Sequence, residues 1–280
     1  MRNNYSLNIK GNLYSFDRPK VMGIINVTPD SFFDGGRYNS VENALEQAEK
    51  HLGEGADFLD IGGFSSRPGA DVVSVAEELQ RVVDPIKAIK DRFPRAIISI
   101  DTFRAQVAEK AVEAGADMIN DISAGEDDEQ MFETVRDLQV PYIIMHKQGS
   151  PKTMQQNPQY ENAVLDIAKY LSRRVLKLNE LGVNDVIIDP GFGFGKTVEH
   201  NYQLLKHLDH FQIFELPILV GVSRKSMINK VLGTKPENAL NGSTVLHTIA
   251  LQKGAHILRV HDVKEAVEAV KLVEQLQLNE

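Results

Sequence analysis

Two aspartates close apolar runs: Asp101 follows Ile97–Ile100 and Asp189 follows Val186–Ile188. Burying an unpaired carboxylate costs several kcal/mol. Such positions are therefore structural, as helix caps or salt bridges, or else kept for a ligand. Asn120 ends a third apolar run and favours the ligand. A carboxylate accepts two parallel N–H donors, and an amide offers one donor and one acceptor. Together they suit the edge of an amino-pyrimidinone ring. Asn26 ends the run Val21–Ile25; its side-chain carbonyl is a hard ligand for Mg²⁺ held otherwise by water and phosphate, or else a turn or cap.

Cations follow late in the chain: Ser223, Lys225, Arg259 and His261. Arg259 and His261 stand two apart on an expected strand, so they share a face and could grip a phosphate. Against this, Arg259 could pair with a carboxylate and His261 could cap the last helix. Ser223–Ser226 opens a helix, whose N-terminus attracts anions; the plainer reading is a solvated basic turn. The set suits a neutral, hydrogen-bonding ring at the centre and an anion at one side.

Two loops bear on this site. Gly191–Thr197 has a P-loop look, but the Gly-x4-Gly-Lys-Thr spacing requires glycine where Pro190 stands, so a Walker motif is rejected. Its three glycines let a loop lie close to a flat ligand, with Phe194 as an apolar wall. Phe64–Gly69 sets one cation, Arg67, in a Gly/Pro frame. The eight histidines include no His-Glu-x-x-His pattern, which argues against a catalytic zinc site.

The elements that must position these groups recur along the chain. Eight apolar runs read as strands: Val21–Asn26, Phe58–Ile61, Ile97–Asp101, Met118–Asn120, Tyr142–His146, Val186–Asp189, Ile218–Val222 and Ile257–Val260. Amphipathic segments separate most of them: Val41–Leu52 with Ser40 as its cap, Val72–Phe93, Phe103–Ala114, Glu129–Leu138, Ala163–Leu181, His200–Leu208, Ser226–Leu232, Leu240–Gln252 and Val263–Leu276. Gly55-Ala56-Asp57, Gly115-Ala116-Asp117 and Gly254-Ala255-His256 form a weak repeat that closes a helix and opens a strand. Eight such units predict an α/β fold, a (β/α)8 TIM barrel, which gathers the strand ends on one face. A doubly wound open sheet is the runner-up. Tyr5–Phe16 alternates around Lys10-Gly11-Asn12, as an N-terminal β-hairpin capping one end. No linker divides residues 1–280, so one domain is expected.

Bulk properties narrow the classes. The chain has 280 residues, no cysteine and a formal net charge of −8. Disulfides and a cysteine nucleophile are excluded, and general nucleic-acid or anionic-membrane binding is disfavoured. Neither a signal peptide nor a spanning apolar stretch is visible. The expectation is a soluble cytoplasmic protein.

Long, ordered motifs carry a resemblance over essentially the whole chain. They are Gly23–Phe32 (GIINVTPDSF), Phe58–Gly63 (FLDIGG), Asp189–Lys196 (DPGFGFGK), Gly221–Ser226 (GVSRKS) and Arg259–Val263 (RVHDV). The chain resembles the dihydropteroate synthase family of pterin-binding barrels. That resemblance implies a transferase of folate biosynthesis. It would join p-aminobenzoate to (7,8-dihydropterin-6-yl)methyl diphosphate with Mg²⁺ as cofactor, as a homodimer and a sulfonamide target. By motif position, the pterin would be held by Asp101, Asn120, Asp189 and Lys225, with Phe194 and Met145. The diphosphate would fall to Asn26, Arg67, Arg259 and His261, with the metal on Asn26. p-Aminobenzoate would meet Ser66, Arg67, Pro68 and Ser223, against Phe32 and Phe194. Asp101, Lys225, Arg259 and His261 would carry catalysis, by stabilising the leaving group rather than by a nucleophile, in an SN1-like substitution. Loops 26–37 and 63–72 would close over the site. The chain departs from the family pattern at Phe64, where many members carry Glu, and at Ser66, where they carry Thr.

Two alternatives are weaker. A corrinoid methyltransferase using methyltetrahydrofolate would need no diphosphate grip, against Arg259, His261 and the Ser223–Lys225 turn. A non-catalytic pterin-binding barrel would not require Asn26, Asp101, Asp189 and Lys225 together.

Overall fold

The computed structural model describes residues 5–27, 36–64, 73–149 and 158–277. Phe32, Ser66, Arg67 and Pro68, and most of the two expected closing loops, lie outside them.

The strands fall where the apolar runs predict. They are β1 Ser6–Ile9, β2 Asn12–Ser15, β3 Lys20–Asn26, β4 Phe58–Gly62, β5 Ile97–Asp101, β6 Met118–Asp121, β7 Tyr142–Met145, β8 Val186–Asp189, β9 Leu219–Val220 and β10 Ile257–Val260. The helices are α1 Gly36–Glu54, α2 Val75–Arg92, α3 Ala105–Glu113, α4 Met131–Leu138, α5 Ala163–Glu180, α6 Val198–Lys206, α7 Ser226–Leu232, α8 Leu240–Gln252 and α9 Val263–Gln277.

Strands β3 to β8, then β9 and β10, form one parallel sheet in the order β8-β7-β6-β5-β4-β3-β10-β9. A bridge between Ile188 and Ile218 joins its two outer strands, with Ile188 N–H donating to Pro217 O at 3.0 Å. The sheet therefore closes into a barrel, and the open-sheet alternative is set aside. Among the described residues no helix is long and apolar enough to cross a membrane.

Burial on both faces explains the near-continuous apolar strands. The larger core lies between strands and helices, with Val21, Leu59, Ile98, Ile119 and Ile188 facing outward. A second cluster fills the barrel interior with Met22, Phe58, Met118, Ile143, Ile187, Leu219 and Ile257. Leu7, Ile9 and Phe16 of the β1–β2 hairpin join that cluster, so the hairpin plugs the N-terminal end of the barrel. Its turn residues Lys10 and Gly11 both have positive φ (50° and 84°), the geometry whose twist suits a two-residue hairpin.

Several boundaries move, three of them with a consequence or a local cause. Helix α1 begins at Gly36, four residues before Ser40, so Ser40 is not its cap. The run Ile218–Val222 forms a ladder only over Leu219–Val220, where β10 pairs with it. Helix α6 starts at Val198, because Thr197 and His200 form a capping box, and gives way to a 3-10 turn over Leu208–Phe214.

Candidate active site

The C-terminal ends of the strands bring a charged cluster together. Asp101 ends β5 opposite Gly62 of β4 and Asn120 of β6, so register alone makes Asp101 and Asn120 neighbours. Arg259 projects from β10. Its Nη2 donates to Asp101 Oδ2 at 2.7 Å and its Nε to Asp60 Oδ2 at 2.6 Å. Asn120 Nδ2 donates to the same Asp60 oxygen at 3.1 Å.

Asp60 was not singled out from the sequence as a site residue. Asp101 closes an apolar run, whereas Asp60 lies inside one, between Leu59 and Ile61. It is 0% exposed, and it ties β4, β6 and β10 together. The pairing considered against a phosphate role for Arg259 is thus present, with two carboxylates. Asp60 Oδ1 and Asp101 Oδ1 are buried and accept no hydrogen bond. An unmet buried acceptor costs roughly 1–3 kcal/mol, so these two oxygens mark where donors belong.

A second group adjoins the first. Asp189 ends β8 opposite Met145 of β7, and its Oδ1 accepts the Gly191 N–H at 2.7 Å. Lys225 precedes α7. Its Nζ donates to Phe192 O and sits 4.7 Å from the Phe194 ring centroid. Gly191 has φ +76°, and a Cβ there would fall 1.9 Å from His146 O. Only glycine lets the loop lie this close to the end of β7.

The basic turn divides its work. Arg224 turns away to Asp262 (Nη2 to Oδ1 2.6 Å) and the carbonyls of Pro236 and Glu237, while Lys225 faces the acids. Strand β10 stops at Val260, so the strand argument that put Arg259 and His261 on one face reaches only Arg259. His261 is placed otherwise: its backbone N–H donates to Ser223 Oγ at 3.2 Å, which brings those two residues together. Asn26 ends β3 in register with Gly62, half-buried at the same rim. Phe64, where the family pattern departs, packs edge-on against Phe103 at 5.2 Å.

Electrostatics follow from burial. Burial raises the Asp101 carboxyl to about 7; Arg259 opposes the rise and Asp60 adds to it. Asp189 is raised by burial too, against the pull of Lys225. Burial lowers the Lys225 ammonium to about 8, with Asp189 resisting. Against the pull of burial, Asp60 and Asp101 hold Arg259 above its ordinary value. The cluster is therefore poised near neutrality, a feature of functional sites.

Comparison with known proteins agrees with this geometry. The "Pterin binding enzyme" family model matches residues 22–261. The dihydropteroate synthase of Escherichia coli strain K12 is 45% identical over 267 residues, covering 95% of this chain and 94% of that one. A dihydropteroate synthase from Yersinia pestis, solved with a sulfonamide drug complex, superposes with TM-score 0.92 at 44% identity, covering 98% of this chain and 100% of the other. One from Xanthomonas albilineans, solved with 4-aminobenzoic acid, gives 0.91 at 41%, covering 99% of each. With a (β/α)8 barrel whose rim holds two unmet carboxylate oxygens, and relatives matched along nearly their whole length, this chain belongs to the pterin-binding enzymes, among the dihydropteroate synthases.

Proposed function

We propose that the rim binds (7,8-dihydropterin-6-yl)methyl diphosphate and p-aminobenzoate and joins them into 7,8-dihydropteroate with release of diphosphate. The observation that supports this most is the convergence of Asp101, Asn120, Asp189 and Lys225 at the strand ends: Asp101 faces Asn120 in register, and Lys225 feels the charges of both Asp189 and Asp101. Carboxylates, an amide and a lysine together match the N–H and carbonyl edge of an amino-pyrimidinone. Asp101, Asn120, Asp189 and Lys225 hold the ring, with Phe194 and Met145 as walls. Ser223 and Phe194 are taken as the p-aminobenzoate side, to which motif position also assigns Phe32, Ser66, Arg67 and Pro68.

The chemistry needs no protein nucleophile. The bond between the exocyclic carbon and the bridging oxygen breaks, and its electron pair leaves on diphosphate. Arg259, whose Nε and Nη2 are held by Asp60 and Asp101, offers positive charge to that anion, with His261 and Asn26 at the same rim; Arg67 is assigned to it by motif position alone. The cation left on the dihydropterin is stabilised by the ionised Asp101 carboxylate. The arylamine nitrogen then attacks the carbon and loses a proton. A single neutral carboxamide, Asn26, suits Mg²⁺ that keeps its waters and is shared with a diphosphate; when bound, that ion would add charge neutralisation at the leaving group.

The direct test is Mg²⁺-dependent diphosphate release on mixing both substrates, repeated with a sulfonamide. No release from folded protein rules the reading out. The same reading takes residues 1–280 as one domain. It also takes the exposed apolar positions Val245 and Ile249 of α8 and Leu272 and Leu276 of α9 as a homodimer surface, to be checked by light scattering.

A further inference from the structure

Lys196 was set aside in the sequence with the rejected P-loop reading, yet it is 3% exposed. A buried lysine needs acceptors on every side. Its Nζ lies 2.8 Å from Gly191 O, 3.0 Å from Phe194 O, 3.3 Å from His146 O and 3.0 Å from His146 Nδ1. It makes no hydrogen bond to Asp101, Asn120 or Asp189.

The loop it grips is held by side chains throughout. Gly191, Gly193 and Gly195 all have positive φ, so the segment has little conformational preference of its own. Lys196 takes the carbonyls of Gly191 and Phe194. Lys225 takes that of Phe192, and Tyr160 Oη donates to Gly195 O at 2.7 Å. Asn201 Oδ1 accepts the Gly193 N–H at 2.7 Å.

Two of these anchors face different ways. Lys225 holds the loop from the ligand side and is itself a binding residue. Lys196 holds it against the end of β7 through His146. It thereby holds Gly191, whose N–H caps Asp189 Oδ1, and the backbone of Phe194, the two residues that flank the Phe192 carbonyl received by Lys225.

We propose that Lys196 is a positioning residue for pterin recognition, acting only through the 191–195 loop. The proposal rests on the pterin reading of the site and adds a residue to it. A buried Nζ within hydrogen-bond distance of four acceptor atoms converts a glycine-rich segment into a rigid wall before ligand arrives, which lowers the ordering cost of binding. Its effect therefore falls on affinity for the pterin and not on the bond-breaking step.

The test compares Lys196→Met, which keeps the stem and removes all donors, with Lys196→Gln, which keeps an N–H donor. The expected result is a rise of tenfold or more in KM for the pterin diphosphate in Lys196→Met. The variant's kcat stays within threefold of the parent, and Lys196→Gln falls between the two. A KM within twofold of the parent, with only the melting temperature lowered, overturns the proposal and leaves a purely structural lysine. Should Lys196→Met not fold, amide hydrogen exchange over 190–197 in Lys196→Gln decides. Faster exchange confined to that segment, with weaker pterin binding by fluorescence quenching, supports the proposal; unchanged protection overturns it. If the parent itself releases no diphosphate, the function reading fails, and the binding measurement still judges Lys196.

Discussion

The two ends of the barrel both hold aspartates, and Asp60 and Asp101 at one end are paired differently from those at the other. At the N-terminal end, the aspartates of the repeated Gly-Ala-Asp junctions are fully engaged. Asp57 accepts Arg18 Nη2 at 2.7 Å and Nη1 at 3.1 Å, and the Val21 N–H at 2.9 Å. Asp117 accepts Lys10 at 2.8 Å, Lys90 at 2.6 Å and the Ile98 N–H at 2.8 Å. Outside that repeat, Asp185 takes the Asn8 N–H of the hairpin at 2.8 Å. At the C-terminal end, Asp60 and Asp101 share one arginine and each leaves an oxygen unmet. The paired carboxylates fasten the plug; under the proposed function Asp101 is kept for a ligand. Residue type does not separate these roles; an oxygen that is both buried and unmet does.

The sharpest way to break this contrast is Asp101→Asn. Turnover should fall roughly 10²–10³-fold in a diphosphate-release assay, the scale of losing one preorganised electrostatic group. Normal turnover with pterin still bound would remove Asp101 from the chemistry.

Stability should move the other way. Folding raises the Asp101 carboxyl to about 7, above its ordinary value. Its proton-linked stabilisation is therefore complete below the unfolded value and lost as pH rises through about 7. Urea unfolding near pH 8 should find Asp101→Asn at least as stable as the parent, with the difference closing as pH falls. Asp117→Asn should instead cost about 1–3 kcal/mol, by leaving two partly exposed lysines and a strand N–H short of their acceptor, while kcat of the folded fraction stays unchanged. Equal losses in both variants would erase the distinction between the ends.

The pH dependence of kcat/KM sharpens the same point. The proposed mechanism requires ionised Asp101 and protonated Lys225, so the profile should rise through about 7 and fall above about 8. Tyr14→Phe, removing one hydroxyl 3.3 Å from Asp57 Oδ1, should have the smallest effect. A loss of about 0.5–1 kcal/mol in stability is expected, and none in rate.

Much of this was legible along the chain. Apolar runs and junction glycines marked the strands and their ends, because burial on both faces and left-handed helix ends leave local signatures. Gly115 and Gly254 close their helices at φ +123° and +92° as the pattern required. Asp101, Asn120, Asp189 and Lys225 stood out as polar groups at strand ends. Asp60 was missed because it lies inside its run, and Lys196 because its neighbours suggested a motif that Pro190 forbids.

Composition and spacing thus determined the order of elements, the eight parallel strands and the strand ends at which the polar groups stand. Only the tertiary structure decided who partners whom. Arg259 meets Asp60 and Asp101 across 199 and 158 residues, and Lys196 meets His146 across 50. Local pattern records which groups are buried. Whether a buried charge is satisfied depends on register and closure, which no single stretch of chain contains.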